Sequence, residues 1–230
     1  TEIYTLSLHD ALPISKEAYL TCNVLDLNRQ KGVQAIEANH GNKKNQNIYM
    51  DTCIMKTELF ISLVKEAKKL SSMYTLTDII NDKCETLDIR GVAHKGFFAS
   101  VTDFPSYYKA NMDLLNYKAA QELFHEDWPI YTRTNDSCPT QYFDSAEVKN
   151  SVISNGCQIE GTVENSVIGR ACVIKKGAVV RNSVVLAEVT IGENVHVENE
   201  VVDKWAKLVR KKEIVSPAEN PGYIKREDTL

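Results

Sequence analysis

The sequence predicts a two-part chain: a mixed α/β region followed by a three-sided parallel β-solenoid. Three observations predict it. In IGRACVIKKGAVVRNSVVL an aliphatic residue returns at every sixth position, at Ile168, Ile174, Val180 and Leu186. Neither an α-helix nor a flat strand gives that beat. Upstream, residues 16–125 alternate short apolar runs with amphipathic helical stretches, the pattern of α/β architecture. Between them, residues 126–147 carry Pro129 and Pro139 and little periodicity, and so read as an extended linker.

Composition narrows the classes of function. The 230 residues are 43% hydrophobic and 25% charged, a globular balance. No apolar run approaches the roughly 18 residues of a membrane span. A net charge of −4 without a dense basic block argues against nucleic acid as a partner. The six cysteines, Cys22, Cys53, Cys84, Cys138, Cys157 and Cys172, form no C-x-x-C pair. They read as reduced thiols of a cytoplasmic protein rather than as a zinc ribbon or a disulfide framework.

Along the chain, TEIYTLSLHDALPI comes first. In order, it is the translation of a common short-read sequencing adapter. Residues 1–15 are therefore expected to be an artefactual, disordered leader, with the reading frame joined partway through a longer protein. A polar loop follows at Asn39–Asn47, whose lysines read as solvated surface. IYMDTCIM (48–55) suggests a buried strand. TELFISLVKEAKKL then suggests a helix capped by Thr57, with Phe60, Leu63, Val64 and Ala67 on one face. LTDIIND reads as a short helix. CETLDIRGVAHKGFFASV reads as two strands around His94-Lys95-Gly96. Asp103 caps a following helix with the stripe Tyr108, Met112, Leu115, Ala119 and Leu123. In the linker, Trp128 and Tyr131 read as anchors onto a neighbouring domain. Exposed apolar surface is expected on residues 16–125, where further sheet would pack.

Residues 148–203 carry the period of six. Four residues after each inward aliphatic stands a second inward position: Cys157, Val163, Cys172, Ala178, Val184, Val195 and Val201. Asn155, Gly156, Gly177, Asn182 and Asn194 fall between, suited to left-handed corners. A triangular coil explains the pattern. Each side is one short strand and one tight turn, and about 18 residues per coil give about three coils. This resembles the hexapeptide-repeat left-handed β-helix. Residues 204–230 read as a tail leaving it, with the basic run from Lys204 to Lys212 as surface charge.

Several stretches together resemble the bacterial glucose-1-phosphate adenylyltransferases. These are YYKANMDLL (107–115), DWPIYT (127–132), Pro139-Thr140-Gln141-Tyr142-Phe143 and the prism after them. The resemblance implies that residues 16–125 are the C-terminal part of a Rossmann-like (GT-A-like) nucleotidyltransferase domain. It also implies a partner reaction, ATP plus glucose 1-phosphate giving ADP-glucose and diphosphate, that uses Mg²⁺.

The departures from the family pattern carry the functional expectation. Where the family's active-site strand reads Tyr-Trp-Arg-Asp-Val-Gly-Thr, this chain has Phe97, Phe98, Ala99, Ser100, Val101, Thr102 and Asp103. The metal-holding carboxylate is replaced by Ser100, a poor ligand for a hard cation. Asp103, an odd number of residues away, would face the other side of a strand. The family's Asp-Phe-Gly-Lys-Asp becomes Tyr74, Thr75, Leu76, Thr77 and Asp78, and no Glu-Lys-Pro triplet occurs. The chain thus resembles the non-catalytic, GlgD-type regulatory subunit of the family. No catalytic, metal-ligating or cofactor-binding residue is assigned, and Mg²⁺ and ATP are expected in a homologous catalytic partner within a hetero-oligomer. Two alternatives stand beside this: a fragment of an active adenylyltransferase, and a hexapeptide-repeat acyltransferase using His196, the one histidine of the repeats, as base. Lys175, Lys176 and Arg181 on the outer prism could meet an anionic effector, with solvated surface as the plainer reading.

Overall fold

The computed structural model describes residues 4–10, 22–40, 46–94, 96–124, 127, 129–131 and 136–230. It divides into two compact units, Thr1–Phe98 and Ala99–Leu230.

The first unit is a mixed sheet with two helices, consistent with part of a Rossmann-like domain. Its strands are β1 (Tyr4–Asp10), β2 (Asn23–Leu27), β3 (Val33–Ala38), β4 (Asn47–Ile54) and β5 (Ile89–His94). They lie in the order β3-β2-β4-β1-β5, antiparallel throughout except for β1 and β5. Tyr4–Asp10 therefore departs from the disordered leader expected there. YTLSLHD has the alternation of a strand, and its backbone satisfies both β4 and β5, whose facing edges would otherwise lack partners. The β2–β3 hairpin was not legible beforehand. Asn28 makes its turn, accepting on Oδ1 from the amides of Gln30 and Gly32.

Two helices cover this sheet, α1 (Thr57–Leu70) and α2 (Leu76–Asp82). Thr57 is the first helical residue rather than the cap; Lys56 takes the cap position, and its side chain does not cap the helix. Of the expected face, Leu63 and Ala67 are buried with Ile79, Ile80, Leu25 and Tyr49, whereas Phe60 and Val64 are exposed. Ile54, Met73 and Val92 are exposed too, so the expected apolar surface is present. The predicted strand pair around Gly96 is a single strand. After His94, whose ring lies 3.1 Å from the Phe97 carbonyl, the chain leaves the sheet and residues 97–102 are irregular. Gly41–Asn45 and Lys95 lie outside the described residues.

The second unit starts before the predicted linker. The expected single helix is two, α3 (Phe104–Asp113) and α4 (Tyr117–Leu123), because Asn116 caps a new start. These residues belong with the solenoid. Tyr108 donates to the Asn182 carbonyl at 2.5 Å, and the Phe104 ring meets Tyr223 edge-on at 5.8 Å. Tyr131 is 92% exposed, so it anchors nothing within this unit, and Trp128 lies outside the described residues.

The solenoid has three faces, each a parallel sheet five strands deep. Its first rung is β6 (Gln141–Tyr142), β7 (Glu147–Lys149) and β8 (Val152–Ile153). The second is β9 (Gln158–Ile159), β10 (Thr162–Glu164) and β11 (Val167–Ile168), and the third is β12 (Val173–Ile174), β13 (Val179–Arg181) and β14 (Val184–Val185). Above them are β15 (Thr190–Ile191), β16 (His196–Glu198) and β17 (Glu200–Val202), then β18 (Lys207–Leu208), β19 (Glu213–Val215) and β20 (Gly222–Ile224). The repeat thus runs well beyond 148–203. Residues 204–230 are no exit tail: Leu208, Ile214 and Ile224 continue the core, and Leu230 packs on it.

All seven second inward positions are buried, but only Cys157, Val163, Cys172, Ala178 and Val195 belong to the prism core; at Val184 and Val201 the next residue, Val185 or Val202, takes the inward place. The first-position slot assigned to Leu186 is filled by Val185, which stacks between Ile168 and Val202. Gly156, Gly177, Asn182 and Asn194 are left-handed corners, but Asn155 is not. Asn150, Asn165, Asn182 and Asn199 stack as a left-handed ladder along one edge. Each takes a conformation that costs other side chains more.

Candidate functional site

The residues that the resemblance singles out are local cap partners. Thr75 precedes α2 and accepts on Oγ1 from the Asp78 amide at 3.2 Å. The Asp78 carboxylate accepts in return from the Thr75 amide at 2.8 Å and its hydroxyl at 2.7 Å. This is a complete capping box. The Thr75 amide, then its hydroxyl, hold the Asp78 carboxyl below its ordinary range. Asp103 does the same for α3: Oδ1 accepts from the Ser106 amide at 2.8 Å, and Ser106 Oγ accepts from the Asp103 amide at 3.0 Å. The Ser106 hydroxyl, then its amide, likewise depress the Asp103 carboxyl.

Strand alternation does not set the direction of Asp103 relative to position 100, because residues 97–102 are not a strand. The cap assignment stands on its own geometry. Ser100 is half-buried. Among the described residues no group of three His, Cys, Asp or Glu side chains could hold a metal ion. The hydroxyl at position 100 is by itself a poor donor for a hard cation such as Mg²⁺.

His196 Nε2 lies 3.1 Å from Glu198 Oε2 on the outer face of β16, without hydrogen-bond alignment. Lys175 pairs with Glu160 at 3.1 Å and Arg181 with Glu164 at 3.3 Å. Such surface pairs contribute little. Lys176 stays exposed beside a polar notch of about 500 Å³ with Glu147 and Glu193. The notch arises because the second rung turns from Ile159 to Val163 in four residues, where the third takes six from Ile174 to Val180. None of the six cysteines is in a disulfide. Cys172 is buried, and its hydrogen bond to Cys157 together with burial pushes its thiol up.

Two features had no sequence signal. Trp205 occupies a left-handed corner (φ 62°) in line with Ala171 and Glu188, and Arg226 stacks 4.1 Å over its ring. With Lys207, Glu227 and Thr229 they line a cavity of about 630 Å³. The second is Glu200, buried where lower rungs place Ser166 and Ser183, with Oε1 accepting from Ser216 at 2.5 Å. Burial raises its carboxyl above the ordinary range, opposed by the Ser216 bond and by Lys211.

Comparison with known proteins fits this geometry. Residues 139–220 match the family model described as GlmU-like, C-terminal hexapeptide. The glycogen biosynthesis protein GlgD of Geobacillus stearothermophilus is 32% identical over 182 residues, 77% of this chain and 51% of that protein. GlgD of Bacillus subtilis (strain 168) is 27% identical over 218 residues, 93% of this chain and 62% of that protein. A glucose-1-phosphate adenylyltransferase of Fervidobacterium nodosum is 33% identical over 141 residues, 61% of this chain and 34% of that enzyme. The chain spans about half the length of the GlgD relative from Geobacillus.

Proposed function

We propose that this chain, a homologue of the GlgD proteins and of glucose-1-phosphate adenylyltransferases, is a non-catalytic regulatory subunit of such an enzyme in glycogen biosynthesis. A homologous catalytic subunit, carrying Mg²⁺ and ATP, converts ATP and glucose 1-phosphate to ADP-glucose and diphosphate. This chain contributes assembly and tuning, and works in the cytoplasm. Among the described residues no helix is long and apolar enough to cross a membrane.

One observation carries the reading. The position matched to the metal carboxylate is Ser100, and the carboxylates of the family-motif positions Asp78 and Asp103 each use one oxygen in a helix cap. Phosphoryl chemistry of this kind depends on a cation to offset charge developing on the phosphates. A solenoid whose upper four rungs share a continuous buried core is, by contrast, an intact assembly module.

A second reading, an active adenylyltransferase, is favoured by relatives that bear that name. One experiment separates the two. The chain is co-expressed with a bacterial glucose-1-phosphate adenylyltransferase, and ADP-glucose formation is assayed for each alone and together. The expected result is no product from the chain alone and a changed rate or effector response in the partner. Product from the chain alone establishes the second reading. Unchanged partner kinetics at saturating chain sinks the first.

A further inference from the structure

We propose that Cys157 and Cys172 are a redox site: a peroxide converts them to a reversible disulfide that ties the second rung of the solenoid to the third. The two occupy the same slot on successive rungs. The Gln141 amide donates to the Cys157 carbonyl, the Gln158 amide to that of Cys172 and the Val173 amide to that of Val189, each at 2.9 Å. The column through that slot therefore runs Thr140, Cys157, Cys172, Val189 and Ala206, with the two thiols adjacent.

Their side chains run side by side. Cys157 Sγ lies 3.1 Å from the Gly169 carbonyl oxygen, and Cys172 Sγ lies 3.0 Å from that of Leu186. Gly169 and Leu186 directly follow the register partners Ile168 and Val185, so both sulfurs meet the same corner one rung apart. Neighbouring strands are about 4.8 Å apart. That lies within the Cα separation of roughly 4.4–6.8 Å that a disulfide spans. Parallel Cβ atoms at that spacing are wider than the roughly 3.8 Å of a relaxed bridge. The two rungs must close slightly to form it, which makes the bridge easier to reduce than a structural disulfide.

The pair has the chemistry of a nucleophile beside a resolving thiol. The hydrogen bond from Cys172 holds the Cys157 thiol below its ordinary range, aided by the Cys172 amide, the Thr140 hydroxyl and the Ala171 amide and opposed by burial. The Cys157 thiolate attacks one oxygen of the peroxide and the O–O bond breaks. Cys157 becomes a sulfenic acid, and hydroxide leaves and takes up a proton. The Cys172 sulfur then attacks the Cys157 sulfur, and the departing hydroxyl carries off the Cys172 proton as water. Two electrons pass from the thiols to the peroxide, and two waters are released. Cys157 is 1% exposed and Cys172 0%, which excludes bulky thiols and disulfides and selects a small oxidant. On the first-rung side of this column only the half-buried Thr140 lies beyond Cys157 among the described residues.

Peptide mapping by mass spectrometry tests this on the whole chain, digested without reductant after brief exposure to hydrogen peroxide, with circular dichroism as the check on folding. The expected result is a Cys157–Cys172 linkage that exceeds every other pairing of the six cysteines by about tenfold and that dithiothreitol reverses. Cys138→Ser, which removes an exposed thiol of the same unit, leaves that yield unchanged. Cys172→Ala strands Cys157 as the sulfenic acid, so a sulfenic-acid trap labels it more than in the parent chain. A statistical spread of pairings overturns the proposal. So does a bridge from Cys157 to Cys138, a bridge that forms only in denaturant, or irreversible oxidation of Cys157 with no bridge.

Discussion

At Gly161 one absent methyl group decides whether two rungs can stack. A Cβ built there would lie 2.5 Å from the Ala178 carbonyl oxygen and 2.8 Å from that of Lys175, both backbone atoms. Gly161→Ala is therefore expected to lower solenoid stability by about 2 kcal/mol through a forced backbone shift, read by thermal unfolding. Glu200 makes a second residue-scale prediction. Its folded-state carboxyl sits above its ordinary value, mainly through burial. Its contribution is therefore fully present below the unfolded carboxyl range, about pH 4, and is lost as pH rises through the elevated value. Glu200→Gln keeps an acceptor for Ser216 without a buried charge. It should flatten that loss and melt at a higher temperature than the parent at pH 7; a lower melting temperature contradicts the assignment. Neither constraint was legible in the sequence. Gly161 reads as any turn glycine until the four-residue corner is seen. Val184-Val185-Leu186 offers three adjacent apolar residues, and only the stacking on Ile168 and Val202 selects Val185.

At the scale of elements, caps explain more than propensity does. The LTDIIND helix and the Asp103 cap were readable because their donors and acceptors lie within three residues. The strand expected over 97–102 was not there. Its aromatic composition favours a strand, but strand geometry needs a neighbour, and the Thr102 and Asp103 amides are instead bound by Ser106 Oγ. Asp78 and Asp103 both titrate below the ordinary carboxyl range. Depressed folded-state values mean their stabilisation is present above about pH 4 and fades as pH falls through the lowered values. The first-turn amides of α2 and α3 should then lose protection, relative to their intrinsic exchange rates, as pH falls below about 4. Asp103→Asn should remove that dependence in α3, because an amide oxygen still caps. Exchange at the Tyr107 amide, bonded to the Asp103 carbonyl, reports it.

For the whole molecule, a period of six was enough to predict the prism but not its extent. Corners of five residues at Val180–Val185 and Val197–Val202 break the count, and the longer excursion from Val202 to Ile224 hides the last rung. The union of α3 with the solenoid rests on tertiary contacts of Tyr108 and Phe104 that no local pattern announces. The first unit, conversely, exposes Ile54, Phe60, Ile61, Val64, Met73 and Val92. Hydrophobic-dye fluorescence should rise strongly with this chain at neutral pH, and a chain that leaves the dye dark would contradict that surface. What the molecule offers is a prism with a continuous buried core, and family-motif carboxylates, Asp78 and Asp103, that serve as helix caps. Native mass spectrometry of the chain mixed with a catalytic glucose-1-phosphate adenylyltransferase puts that division of labour to the most direct test. The account predicts a mixed oligomer that is lost when residues 141–230 are removed from the chain; two species that never share a complex would contradict it.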